Sequence, residues 1–283
     1  MRELDRRLCV RGLAAAGFSL GLSGPAAARR RRLLTDPDLD AALVVEAASG
    51  KVIYARNAAA QRHPASLTKL MTLYLLFEAL RAKKLTLQTE LPVSAYAASQ
   101  PRAHLRLRTG STITVETAIK AMIIQSANDA AVAVAEAVGR NESVFVVLMN
   151  AKARAFGMDD TFYGNATGLP DDQQITTADD LVILTRRLIQ DFPQYFPYFG
   201  TRSMTWRGRE YNTHDNLIGD YPGVDGMKTG YVDDSGYSMV TTVLRGKKRL
   251  IAVVMGGLTP ERRDEAMTRL LDDAYAQTPA AHP

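Results

Sequence analysis

The order in which strand-like and helix-like stretches follow one another is the feature that most constrains this chain. Residues 41–47 (AALVVEA) and 51–56 (KVIYAR) flank the turn pair Ser49-Gly50, which predicts a hairpin. From Ser66 to about Lys83 there is no Gly or Pro, and apolar residues occur almost all round, the pattern of a helix buried in a core. Thr114 or Glu116 begins a helix through Ile124, and another runs from about Asp129 to Val138, stopped by Gly139. Asn141 is the expected N-cap of a helix ending at Gly157, and Thr177 with Asp180 forms a capping box before LVILTRRLIQ. After Pro193 strands return: SMTW and EYNT around Gly208, then GMKTGY, YSMVTTVL and RLIAVVMG, followed by a helix from Pro260 to Tyr275. Strands from the two ends can share one sheet only if the helices between them form an insertion. The expectation is an α+β fold: an antiparallel sheet formed by N- and C-terminal strands, an inserted helical lobe, and a cleft between the two.

Composition narrows the class. With 283 residues, 46% of them hydrophobic and 23% charged, the chain is neither disordered nor collagen-like. Residues 1–28 combine a basic start, a weakly apolar Gly/Ala-rich stretch and a closing run of small residues, the composition of a secretory signal, and Arg6-Arg7 also resembles a twin-arginine signal. A basic, flexible segment is expected over 29–37, a catalytic domain over 38–276 and a disordered tail over 277–283. The leader and Arg29 to Arg32 account for the net charge of +5, so the remainder is about neutral and carries no basic stripe for nucleic acid. The single cysteine, Cys9, lies in the leader, which excludes an internal disulfide and thiol catalysis. The four histidines are scattered, against a Cys/His zinc site. Beyond the leader no stretch approaches the ~20 apolar residues of a membrane span. The reading is therefore of an exported, extracytoplasmic or periplasmic protein with no stable transmembrane segment in its mature form.

Three short motifs carry chemistry. In Pro64-Ala65-Ser66-Leu67-Thr68-Lys69, serine and lysine stand three residues apart on one helical face, so the amine reaches the hydroxyl. A serine needs such a base to become a nucleophile, and a lysine serves only when burial or a neighbouring cation lowers its pKa. Free N–H groups at the start of this helix favour a developing oxyanion. In Ser126-Ala127-Asn128, an extended connection between helices turns both polar side chains into one cleft; the plainer reading is a cap for the helix at Asp129. In Lys228-Thr229-Gly230-Tyr231, an edge strand places a cation and a hydroxyl at the cleft, Gly230 permits close approach of a ligand backbone, and the Tyr231 N–H faces a reacting carbonyl. Alone, each motif is common by chance.

Together, and in this order, they resemble the set found in penicillin-binding proteins and class A β-lactamases. The stretches HPASLTKLMT (63–72), IIQSANDAAVAVAE (123–136), FVVLMNAKARAFGMDDTFYGNATGLP (145–170) and YPGVDGMKTGY (221–231) resemble the D-alanyl-D-alanine carboxypeptidases, the low-molecular-weight penicillin-binding proteins, over about residues 38–275. The resemblance implies the serine β-lactamase/penicillin-binding-protein-like fold, with Ser66 as nucleophile, Lys69 as general base and Ser126 as proton shuttle. It implies that Asn128 binds the substrate amide, that Lys228 and Thr229 bind the terminal carboxylate, and that the N–H groups of Ser66 and Tyr231 form the oxyanion hole. Arg263 matches a position where the family often has a carboxylate-binding arginine, with a solvated helix face as the alternative, and His214 is a further candidate. Peptidoglycan stem peptides are the implied substrate and β-lactams the implied inhibitors, acylating Ser66; no metal or cofactor is implied. D,D-endopeptidase activity on cross-linked peptidoglycan fits the same residues. A β-lactamase would carry an E-x-x-L-N motif, absent from residues 159–180. A non-catalytic binder would not keep both a nucleophile and its base, and a Ser-His-Asp triad through His63 or His214 lacks the G-x-S-x-G elbow. The chain departs from the family in having Tyr231-Val232 where many members have His-Thr.

Overall fold

The computed structural model describes residues 33–277. The leader (1–28), the arginines at 29–32 and residues 278–283 lie outside the described residues. In chain order the elements are β1 (Ala41–Glu46), β2 (Val52–Arg56), α1 (Lys69–Arg81), β3 (Glu90–Pro92), α2 (Ala95–Ala98), β4 (Thr112–Thr114), α3 (Val115–Lys120) and α4 (Asn128–Gly139). They continue with α5 (Glu142–Phe156), α6 (Ala178–Asp191), β5 (Ser203–Trp206), β6 (Arg209–Asn212), β7 (Val224–Val232), β8 (Gly236–Arg245), β9 (Lys248–Gly257) and α7 (Pro260–Ala276).

The main sheet is antiparallel with strand order β2-β1-β9-β8-β7. The expected union of the two chain ends occurs between β1 and β9, where Val44 pairs with Ala252 and Val45 with Ile251. Both faces of the sheet are covered. Leu43, Val45, Ile251 and Val253 point into the core shared with α1 and α6, while Val44, Leu250, Ala252 and Val254 point to the Met267 and Leu271 stripe of α7. Two-sided burial is why these strands read as continuous apolar runs. β7 lies at the edge, as anticipated, and faces the helical lobe.

Within that lobe α1 is the central rod; Leu70, Met71, Leu73, Tyr74, Leu76 and Phe77 are all buried. Helices α3, α5, α6 and α7 begin at side-chain caps. Thr114, Asn141, Thr177 and Thr259 each accept the backbone N–H of the residue three positions on. Two local readings change. The helix expected from Ser66 opens as a 3-10 turn, Ala65–Thr68, before α1. The helix expected through Ile124 ends at Lys120 and continues as a π turn, Ala121–Gln125. At the start of the described residues Thr35 bridges Gly257, and the Asp36 N–H donates to the Gly256 carbonyl (2.7 Å). Gln277 likewise belongs to the end of α7, its N–H bonded to the Asp273 carbonyl.

Candidate active site

The 3-10 turn carries Ser66 to the junction of the lobes. Ala65, immediately before it, has a positive φ of 47°, and β7 lies close against this turn. A Cβ added at Gly230 would stand 3.2 Å from the Pro64 carbonyl and 3.3 Å from Leu67, a tight fit against the chain's own turn. The expectation assigned that space to a ligand backbone. Gly168 closes the other side: with φ at +82°, a Cβ there would fall 1.8 Å from the Ala65 carbonyl.

Lys69 is fully buried, one turn after Ser66. Its Nζ lies 3.1 Å from Ser66 Oγ, 2.7 Å from Asn128 Oδ1 and 2.5 Å from the Thr167 carbonyl oxygen. Two of those three atoms only accept. As an ammonium Lys69 donates to all three oxygens; as a neutral amine it keeps two N–H groups for Asn128 and Thr167 and turns its lone pair to the Ser66 hydroxyl. Burial, followed by the charge of Lys228, holds Lys69 well below the ordinary lysine range, opposed by Asp129.

Ser126 ends the π turn in a left-handed conformation (φ 58°, ψ 32°), Ala127 is extended, and Asn128 is already the first residue of α4. The connection is thus a sharp kink and not an extended segment, and neither Ser126 nor Asn128 caps the helix, because Ala127 holds the cap position. The kink nonetheless turns both side chains inward. Ser126 Oγ accepts from Lys228 Nζ (3.0 Å), while Asn128 faces Lys69. A strained serine after a π turn is the kind of backbone feature that gathers at functional sites. Asn128 Nδ2 donates to the carbonyls of Pro101 (3.0 Å) and Arg102 (2.6 Å), so both its N–H groups are committed to the chain. In this state it positions Lys69 and the 101–107 loop, and no N–H remains to donate to a substrate amide.

On β7, Lys228 is 2% exposed and donates to Ser126 and to the Thr229 carbonyl (2.7 Å). Burial and Arg263 push it down to about 7, while Asp215 pulls it up. Thr229 is buried beside it, and the Tyr231 ring is exposed on the rim, stacked on Tyr237. Arg263 does not sit on a solvated face. It is 3% exposed, packed against Gly257, and its Nε and Nη2 both donate to Asp264 Oδ1 (2.9 and 2.6 Å). His214 belongs to the same charged corner; desolvation, then Lys228 and Arg263, hold it below the ordinary histidine range. His63 is bonded through Nδ1 to the Gln174 carbonyl (2.9 Å), while the amine beside Ser66 Oγ is that of Lys69 (3.1 Å).

Three participants escaped the sequence reading. Asp129, 1% exposed, accepts the N–H groups of Leu105 (3.1 and 3.0 Å), Leu107 (3.0 Å) and Ala130 (2.9 Å), fixing the loop that Asn128 also holds. A lone carboxylate inside the apolar run 121–135 was the available signal. Thr167 acts through its backbone, which no side chain announces, and Asp215 lies in a loop without periodicity. Among the described residues no helix is long and apolar enough to cross a membrane.

Comparison with known proteins agrees with this geometry. The family model for D-alanyl-D-alanine carboxypeptidase matches residues 31–259. D-alanyl-D-alanine carboxypeptidase DacF of Bacillus subtilis is 36% identical over 241 residues, 83% of this chain and 62% of that protein, so the chain spans under two thirds of that relative's length. Penicillin-binding protein 5 of Haemophilus influenzae superposes with a TM-score of 0.82 at 28% identity, covering 87% of this chain and 72% of that one. Penicillin-binding protein D2 of Listeria monocytogenes, solved in its ampicillin-bound form, gives 0.74 at 30% identity, covering 86% of this chain and 98% of that one. With the nucleophile, its amine and the edge strand brought together in that same architecture, the chain belongs to the D-alanyl-D-alanine carboxypeptidase family of serine peptidases.

Proposed function

We propose that residues 38–276 form the catalytic domain of an exported serine-type D-Ala-D-Ala carboxypeptidase that trims peptidoglycan stem peptides. The observation that carries this reading is the partner set of Lys69: two acceptor-only oxygens and the half-buried Ser66 hydroxyl around a fully buried amine. Lys69 accepts the Ser66 proton as Ser66 Oγ attacks the carbonyl of the penultimate D-alanine. The backbone N–H groups of Ser66 and Tyr231 receive the developing oxyanion. Lys228 and Thr229, with Arg263 behind them, hold the terminal carboxylate, which restricts the site to chain ends. Ser126, bonded to Lys228, passes a proton to the departing D-alanine amine. Water then cleaves the Ser66 ester and releases the shortened peptide. A penicillin offers a strained acyl group beside a carboxylate and so enters the same path, leaving an acyl group on Ser66.

The test is incubation with a monomeric stem pentapeptide and with a cross-linked stem dimer, followed by chromatography of the products. Release of free D-alanine from the monomer at a rate well above cleavage of the dimer supports the carboxypeptidase. Preferential cleavage of the dimer makes the protein a D,D-endopeptidase, and turnover of neither overturns the reading.

A further inference from the structure

The loop between α2 and β4 reads PRAHLRLR over residues 101–108. Its side chains alternate. Leu105 and Leu107 are buried, whereas Arg102, Arg106 and Arg108 are exposed. Among the described residues, none of these three guanidinium groups makes a hydrogen bond or an ion pair.

Exposed arginines on a loop are ordinarily a solvated surface. Here the backbone that carries them is held. Asn128 Nδ2 donates to the carbonyls of Pro101 (3.0 Å) and Arg102 (2.6 Å), and the Asn128 N–H donates to the Ala103 carbonyl (2.6 Å). Asp129 Oδ2 accepts the N–H groups of Leu105 (3.0 Å) and Leu107 (3.0 Å). Ala103 and Arg106 have positive φ of 52° and 57°, a conformation that residues with a Cβ keep only where the surroundings impose it. Two consecutive buried residues thus fix the loop from Pro101 to Leu107. Asp129 is engaged by backbone N–H groups and does not neutralise the arginines.

The residues that hold the loop also reach the nucleophile. Asn128 Oδ1 lies 2.7 Å from Lys69 Nζ, itself 3.1 Å from Ser66 Oγ, so the Arg102 carbonyl is three hydrogen bonds from the serine. On the rim formed by β7, the Tyr231 phenol is raised by its hydrogen bond to Asp233, and Arg102 opposes that shift.

We propose that Arg102, Arg106 and Arg108 are specificity-determining residues that recognise an acidic peptide, one with a free carboxylate two or three residues before its terminal D-Ala-D-Ala. The proposal rests on the carboxypeptidase reading for the placement of that dipeptide at Ser66. An extended peptide rises about 3.3 Å per residue, which puts such a carboxylate about 7–10 Å from the scissile carbonyl, on the scale of the distance to the loop. Each guanidinium offers a planar fork that matches a carboxylate, and with the backbone already fixed, binding costs side-chain freedom alone. The internal carboxylate is thereby read separately from the terminal one assigned to Lys228 and Thr229.

The test is an NMR titration of full-chain Ser66→Ala, which binds substrate without turning it over, observing the arginine Nε–Hε signals. The probes are acetyl-Glu-Ala-D-Ala-D-Ala and acetyl-Gln-Ala-D-Ala-D-Ala, and the three signals are assigned by their loss in Arg102→Gln, Arg106→Gln and Arg108→Gln. The glutamate peptide is expected to shift the loop arginines and to bind about tenfold tighter than the glutamine peptide, the worth of one or two exposed ion pairs. With all three arginines changed to glutamine, the ratio of affinities falls to near one. Loop signals that do not respond to the glutamate peptide overturn the proposal whether or not the triple variant folds, as does a tenfold ratio that survives in the folded triple variant. Release of D-alanine from the two peptides by wild-type protein is read separately: its absence refutes the carboxypeptidase reading, and its presence without an arginine response refutes the present proposal alone.

Discussion

Two lysines share this cleft, both buried, and the proposed reaction asks opposite things of them. Lys69 works with its lone pair free, Lys228 with its proton on, and the acids beside them differ accordingly: Asp129 acts on the first, Asp215 on the second. Because Lys69 is active when deprotonated, acylation rises with pH through its depressed midpoint. Because Lys228 is active when protonated, acylation falls as pH rises past about 7. A stopped-flow profile with a carboxylate-bearing penicillin is expected to show that alkaline limb near 7, whereas an unperturbed lysine would place it above 10. The same displacement affects stability. With a folded midpoint of about 7 against an unfolded value of 10.5, the unfolded chain binds more protons in that window. Stability from this group therefore rises with pH between those values, and the full cost of burying the charge is present below about 7. Lys228→Met is accordingly expected to raise Tm at neutral pH while abolishing acylation, and a calorimetric scan showing a lower Tm would contradict this. The residues that the sequence exposed were those whose chemistry is local: Ser66 with Lys69, Ser126 with Asn128, Lys228 with Thr229. Asp129 and Thr167 stayed hidden because they bond to other segments of the chain, 22 to 98 residues away, and Asp215 because its loop carries no periodicity.

At the scale of elements, the site is a set of close backbone approaches. The turn bearing Ser66 is gripped between Gly168, which leaves no room for a side chain without displacing backbone, and Gly230, where a Cβ is a tight fit. Gly168→Ala combines a left-handed backbone with a Cβ 1.8 Å from the Ala65 carbonyl. It is expected to cost about 3 kcal/mol, a fall in Tm of about 6–12 °C, together with slower acylation because Ser66 must move. A melting curve that matches wild type would show that the turn yields freely. The caps explain why most helices were legible: Asn141, Thr177 and Thr259 occupy the N-cap positions that their side chains favour. What was not legible is the stretch from 85 to 113. β3 and β4 are three residues each, too short for alternation to register, and α2 is a single turn. The left-handed Ser126 could not be read because nothing local demands it. Its conformation is imposed by the π turn before it and by the Ala127 N–H donating back to the Ala121 carbonyl (3.0 Å).

Over the whole molecule, the strands of the two chain ends had to find each other across the intervening helices. β1 pairs with β9 at a separation of roughly two hundred residues, and this distant pairing sets one wall of the cleft through β8 and β7. Sequence patterning identified the partners because both faces of the sheet are covered, and covered strands are apolar throughout. It did not give the register, which rests on the packing of α7 against one face and α1 with α6 against the other. The helical lobe then presents Ser66, Lys69, Ser126 and Asn128 to the edge strand as one rigid surface. The proposed chemistry turns on a single event, transfer of the Ser66 proton to an uncharged Lys69. The measurement that tests it most directly is intact-protein and peptide mass spectrometry after exposure to benzylpenicillin, on wild type, Ser66→Ala and Lys69→Arg, with circular dichroism confirming that each is folded. The account predicts one penicilloyl group on the peptide containing Ser66 in wild type, none in Ser66→Ala, and acylation slowed by about a thousandfold or more in Lys69→Arg, whose guanidinium keeps its proton. A folded Lys69→Arg protein acylated at the wild-type rate, or an adduct on any other residue, would contradict it.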